Sequence, residues 1–324
     1  MKKYESFLAT TFEQYLHFRQ SVGYSMIALQ TYLVHFDRFV HQKGAQWHDL
    51  DSALCLEFSE QLELSPTTIN NAMSALKGFF SYLERRQIMD DNPMKAITAK
   101  SIPAYIPYLF SAEDVRRLLD AVNNKIRKDP KNYFRDYSLS MLILLLASCG
   151  LRISEPVNLK LDQYHTGEGT IFIRKTKFDK ERLIPVPRFV MGELSNYLSV
   201  RKHMVGNQDN PYLFPGKHLF RINRGAVYAL FYQAVRDIGI KQEKVILDHI
   251  RFGKPTPHCL RHSFAVNSLL RIKERGGSAQ DALPVLAAYM GHKNYISTAV
   301  YLKALDAKQR QGLFDITIKS FKII

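Results

Sequence analysis

The chain has 324 residues, 46% of them apolar, with a formal net charge of +15 at pH 7. That is enough for two domains with real cores, and it excludes a disordered chain. Three scattered cysteines without a C-x-x-C pair point to a reduced protein rather than a disulfide scaffold, and the run MLILLLASC at 141–149 is too short to span a bilayer. The opening residues turn polar too soon for a secretion signal, so a cytoplasmic protein without a membrane segment is expected.

In chain order, residues 7–22 carry a helical pattern. Ser25 is a candidate N-cap and Gly44 a stop, with Ile27, Tyr32, Leu33, Phe36, Phe39 and Val40 at helical spacing between them. A short helix is predicted near 50–62. Ser65 caps and Pro66 opens the next helix, whose stripe is Ile69, Met73, Leu76, Phe79, Phe80 and Leu83. Residues 90–110 hold three prolines and little periodicity and read as a linker. Ser111 caps a helix with acids in its first turn, and residues 137–150 predict a helix buried on all sides, ending at Gly150. Two β-rich runs, 171–174 and 182–186, flank a charged turn and predict a hairpin in a small sheet. The fold class is therefore mostly α, with a helical bundle followed by an α+β domain.

Charge is unevenly shared. Residues 1–100 carry 10 Lys+Arg and 11 Asp+Glu; residues 101–324 carry 35 and 19, a net of +16. A basic surface of that size suits a polyanion such as nucleic acid.

The stretch PHCLRHSFA, 257–265, places His258, Arg261 and His262 on one helical face. Zinc is one reading of the two histidines, but the position after the first is Cys259 rather than a glutamate base, and the guanidinium on the same face would repel a cation. A solvated polar face is a second. A phosphate clamp uses every residue without conflict: arginine is a bidentate phosphate donor, a histidine one turn away donates or moves a proton, and the helix start favours an anion. Candidate partners lie elsewhere. Arg152 follows the Gly150 stop, with Glu155 one turn on; Lys175, Lys177 and Lys180 lie at the hairpin tip; His292 precedes Tyr301, a candidate nucleophile, by nine residues. Taken singly, each has an ordinary structural reading as a surface charge or core tyrosine.

Together and in order, GLRISE, KFDKERLIP, HCLRHSFA and GHKNYISTAVY resemble the tyrosine recombinases, the phage integrase family. The resemblance covers nearly the whole chain. It implies a catalytic set of Arg152, Lys177, His258, Arg261, His292 and Tyr301, with Lys175 as the rival lysine and Tyr295 and Tyr289 as fallback nucleophiles. It implies no metal and no nucleotide: Tyr301 attacks a DNA phosphodiester, forms a 3′-phosphotyrosyl bond and frees a 5′-hydroxyl, with His258 as base and Lys177 as acid. The implied organisation is a core-binding helical domain (1–98), a linker (99–108), a catalytic domain (109–305) and a tail (306–324) that docks on a neighbouring subunit. The implied partners are double-stranded DNA with paired half-sites and a homotetramer on that DNA, the two domains closing round the duplex as a basic clamp. Transposition or integration of a mobile element is the expected role; dimer resolution, topoisomerase-like relaxation and a DNA-binding module without catalysis are the alternatives. The long segment 241–256 departs from a minimal member.

Overall fold

The computed structural model describes residues 4–24, 26–174, 181–206, 210–216, 220–241, 243, 245–247, 250–292, 298 and 301. The chain divides into two compact units, Met1–Ala104 and Tyr105–Ile324.

The first unit is a helical bundle of α1 (Ala9–Ser21), α2 (Ile27–Lys43), α3 (Ser52–Gln61) and α4 (Pro66–Arg85). Ser65 caps α4 as its sequence requires, accepting the Thr68 N–H, with Pro66 in the first turn. Gly44 ends α2 in the left-handed conformation. The expected Ser25 cap lies outside the described residues; Met26 holds the N-cap position, without a side-chain bond. Apolar stripes meet in an aromatic core: Phe12 lies 4.5 Å from Phe79 between ring centroids, and Phe36 contacts Phe80 edge-on. Buried Asp37 ties down the N-terminal segment, accepting the backbone N–H groups of Glu5 and Ser6 and the Ser6 hydroxyl. Asn70 exchanges two 2.8 Å hydrogen bonds with the Lys100 backbone, so the chain after α4 returns along that helix.

The second unit is built on α6 (Pro130–Cys149), against which α5 (Ala112–Asn123), α8 (Arg188–Val205), α9 (Arg224–Asp237) and α10 (Pro257–Glu274) pack. Ser111 and Asp114 form the capping box of α5. α6 starts at Pro130 rather than Tyr137, with Asp129 as its N-cap; its polar first turns lack the apolar run that marks the rest. α7 (Ser154–Asn158) follows directly, and α11 (Leu283–Met290) comes after α10.

The sheets are small and antiparallel. β2 (Tyr164–His165), β3 (Thr170–Ile173) and β4 (Arg182–Pro185) form one, with Ile171 opposite Ile184 and Ile173 opposite Arg182. Ile171, Ile173 and Ile184 face the core while Leu183 faces solvent, the period-two alternation of a half-covered sheet. The other sheet was not foreseen: β1 (Ala104–Ile106) lies within the stretch read as a linker and is ordered β1-β6-β5 with β5 (Val245–Leu247) and β6 (Ile250–Phe252) of the long 241–256 segment. Among the described residues no helix is long and apolar enough to cross a membrane.

Gly150 closes α6 at φ +57°, and a Cβ there would lie 2.4 Å from the Phe264 ring on α10. Gly150→Ala should therefore destabilise the protein by at least the left-handed penalty of about 1–2 kcal/mol. In a calorimetric scan the expected loss is about 2–8 °C in the Tm of the second unit; an unchanged Tm would mean that the helix junction relaxes freely.

Candidate active site

The site is assembled where α6, α10 and α11 end or begin. Pro257 opens α10 after Thr256, so the face bearing His258, Arg261 and His262 is presented from the first two turns. α10 is held in place by its polar inner side: Ser263 accepts the Phe110 N–H (2.8 Å) and Asn267 donates to the Phe110 carbonyl (3.2 Å).

Arg261 is 2% exposed. It donates through Nη1 to the Gly150 carbonyl at 2.7 Å and through Nη2 to the Met290 carbonyl. Both acceptors lie at helix C-termini, where unsatisfied carbonyls and the helix dipole favour a cation. Burial, and then the charge of Arg152, nevertheless lower its pKa to about 10, so it stays charged at neutral pH.

Arg152 donates to the Gly291 carbonyl (3.0 Å) and to Glu155 (3.1 Å). Glu155, buried, also receives both terminal nitrogens of Arg182, at 3.0 and 2.9 Å. Burial acts to raise the Glu155 pKa, but the Arg182 hydrogen bonds and charge, aided by the Arg152 backbone N–H and Arg261, outweigh it and hold the carboxyl below its usual range. Arg182 further donates from Nε to the Tyr289 carbonyl at 2.8 Å, tying β4 to α11. Gly291 closes α11 at φ +64°, and a Cβ there would come within 3.0 Å of the Arg182 guanidinium.

Tyr301 is 5% exposed. Burial raises its pKa; Arg261 and Arg152 pull the other way without cancelling it, so the phenol is neutral at pH 7. Its hydroxyl lies 3.1 Å from Nδ1 of His262. The His262 ring meets His258 edge-on at 4.6 Å between centroids, and His292 stacks on Tyr301 at 6.0 Å. Nδ1 of His292 pairs with the buried Thr298 hydroxyl at 2.7 Å. All three histidine pKa values are lowered. Burial is the largest cause for His292, brought to about 4, and for His262, brought to about 3, followed by neighbouring arginines and histidines. His258 keeps solvent contact on one side, yet crowding by protein and the charges of Arg261 and Arg152 lower it too.

Five of the six residues expected from the sequence thus stand together: Arg152, His258, Arg261, His292 and Tyr301. Lys177 lies outside the described residues, as do Lys175, Lys180, Tyr295 and the tail 306–324. Tyr289 is a packing residue: its ring stacks on Phe264 and its hydroxyl donates to the Pro185 carbonyl. The expected base, His258, is not the phenol's partner; His262 is. Two members went unassigned, His262 and Arg182. The i, i+4 spacing from His258 marks the first, while nothing in a charged strand edge singles out the second.

Residues 109–308 match the model of the phage integrase family, and residues 9–87 match the phage integrase N-terminal SAM-like domain. The chain is 28% identical over 316 residues to the tyrosine recombinase XerC of Escherichia coli O157:H7, covering 95% of this chain and 96% of that one. It is 27% identical over 291 residues to XerD of Shewanella oneidensis, covering 89% and 88%. Its fold resembles that of the XerH recombinase bound to palindromic difH (TM-score 0.66, 20% identity, 88% of this chain and 78% of that one). It also resembles that of a lambda integrase chain from a tetramer bound to a Holliday junction (TM-score 0.60, 16% identity, 90% and 78%).

The depressed histidine values set an acid limit on stability. His292 takes up its proton near pH 6.5 when unfolded and only near pH 4 when folded. The unfolded state therefore binds more protons in that window, and stability falls as pH drops through it. Urea midpoints measured from pH 7 to pH 4 should decline, and His292→Asn should decline less steeply. Parallel slopes for the two proteins would show that His292 is not buried neutral.

Proposed function

We propose the following division of labour for this chain, which belongs to the phage integrase family and is a tyrosine recombinase that cuts and rejoins DNA at specific sites. The Tyr301 oxygen attacks a phosphodiester, forming a 3′-phosphotyrosyl bond and releasing a 5′-hydroxyl; the 5′-hydroxyl of another strand then reverses the step on a new partner. Arg152, Arg261 and His292 stabilise the extra negative charge of the phosphorane-like transition state. Lys177 protonates the departing 5′ oxygen, and the phenolic proton passes to a histidine of α10. The covalent link conserves the energy of the broken bond. One observation carries this reading: a buried phenol, three imidazoles and two arginines locked onto helix carbonyls share one junction.

The broader setting is also our proposal. Residues 1–98 form a core-binding domain and 109–305 the catalytic domain, with 99–108 joining them. The protein works in the cytoplasm as a homotetramer on double-stranded DNA with paired half-sites, the apolar tail 306–324 docking on the next protomer in a closed ring. The long segment 241–256, which bears β5 and β6, favours movement or integration of a mobile element over dimer resolution on this reading; inverted repeats beside the gene would be the corresponding sign.

Tyr301→Phe should keep half-site affinity and lose covalent adduct on a nicked recombination site, by at least about a hundredfold. Adduct at the wild-type level would remove Tyr301 from the role. DNA affinity should also fall steeply with salt: with about 6–10 phosphates neutralised by the basic second unit, binding weakens by about 10³–10⁵ between 50 and 200 mM. A flat dependence in a filter-binding titration would contradict a surface built on phosphate contacts.

A further inference from the structure

We propose that His262 is the immediate proton acceptor for Tyr301 in strand cleavage, and the proton donor that returns it on resealing. This rests on Tyr301 being the nucleophile, and it replaces His258 as base.

The geometry separates the two histidines of α10. His262 is less exposed than His258, and its Nδ1 is the hydrogen-bond partner of the Tyr301 hydroxyl at 3.1 Å. The phenol keeps its proton and the imidazole is uncharged, so in the tautomer with the ring proton on Nε2 the hydroxyl donates and Nδ1 accepts; we assign His262 that tautomer. That is the ground state a general base requires, within the 2.6–3.2 Å reach of the proton it takes. His258 meets the His262 ring edge-on and keeps a solvent-exposed side. It is free to donate to a phosphate oxygen.

The charged and titratable groups around His262 explain why it waits for substrate. His258 and Arg261 face it from α10, and His292 and Tyr301 from the chain beyond α11. Positive charge from Arg261, or from either histidine when protonated, opposes an imidazolium there. A phosphodiester bound by the arginines brings negative charge to the same place and offsets that opposition, so His262 becomes basic when the phosphate is seated. The step balances. The bond from the Tyr301 oxygen to phosphorus forms while its proton moves to Nδ1, giving imidazolium; the bond from phosphorus to the 5′ oxygen breaks, and that oxygen takes a proton from Lys177, the acid of the proposed function. In resealing, the incoming 5′-hydroxyl returns its proton to Lys177 as its oxygen bonds to phosphorus, while the bond from phosphorus to the Tyr301 oxygen breaks and that oxygen recovers its proton from His262.

The test is single-turnover cleavage of a nicked site by the full chain, with half-site affinity and Tm recorded for each variant. His262→Ala removes both aim and base. His262→Asn puts an amide oxygen near the Nδ1 position, so it can accept the phenol's hydrogen bond but not its proton. Both should slow cleavage by about a hundredfold or more at pH 7. His262→Asn should then speed up by about tenfold per pH unit towards the phenol's ionisation, where the wild type levels off. Replacing the 5′-bridging oxygen by sulfur removes the need for an acid and should not rescue either variant. His262→Asn within about threefold of wild type would reduce His262 to aiming the phenol, and rescue by sulfur would place it on the leaving-group side; either overturns the proposal. Tyr301→Phe is run in parallel. If it still forms adduct, the nucleophile assignment fails; if it is inert while His262→Asn cleaves normally, only the His262 inference fails.

Discussion

A guanidinium almost wholly removed from water is the constraint on which the second unit depends. Taking a cation out of solvent costs several kcal/mol unless hydrogen bonds and opposite charge replace the lost hydration. Arg261 meets that demand with the carbonyls of Gly150 and Met290, at the C-terminal ends of α6 and α11. Its position in turn fixes how α10 lies between them. Gly150 must be left-handed to end α6 there, and Phe264, three residues beyond Arg261, fills the space that a side chain on Gly150 would take. Like charge nearby is balanced in the same way, since Arg152 and Arg182 share the buried carboxylate of Glu155. Removing that carboxylate would leave three guanidinium groups facing one another.

The same arrangement prepares the site for an anion before any arrives. The cost of desolvating and orienting the cations is met during folding, by bonds that do not include the substrate. On the proposed reading a phosphate would therefore meet donors already held in place, which need no reorganisation as charge develops. The histidines follow the opposite logic. Burial and the arginines keep His262 and His292 uncharged, so that one ring nitrogen accepts while the other donates. Thr298, paired with Nδ1 of His292, leaves Nε2 as the nitrogen able to reach a phosphate.

Much of this was legible in the sequence because it is local. The caps at Ser65 and Ser111, the stops at Gly44 and Gly150, and the alternation of Ile171, Ile173 and Ile184 each rest on residues a few positions apart. Four motifs in order carried the family resemblance. What could not be read depends on distant partners. β1 has three residues among prolines and exists only because β6, more than 140 residues later, pairs with it. Arg182 looks like one more basic residue after a charged turn until Glu155 is placed beside it. The phenol's choice of His262 over His258 depends on where Tyr301, 39 positions later, comes to lie, and both histidines share one face in the sequence. The start of α6 is a different case: Asp129 and Pro130 signalled it, but the polar turns that follow hid the signal beneath the apolar run.

The contact between Tyr301 and His262 has a consequence for the genetics of mixed assemblies. Tyr301 already rests against the histidine of its own chain, so on the proposed reading each subunit of an assembly would carry its own cutting pair and borrow neither residue from a neighbour. Chains defective in Tyr301 and chains defective in His262 would then be unable to complement one another at a single phosphate. Diluting wild-type subunits with either defective chain would lower cleavage at one strand in proportion to the intact fraction. A complete exchange, which needs several strands cut, would fall as a higher power of that fraction.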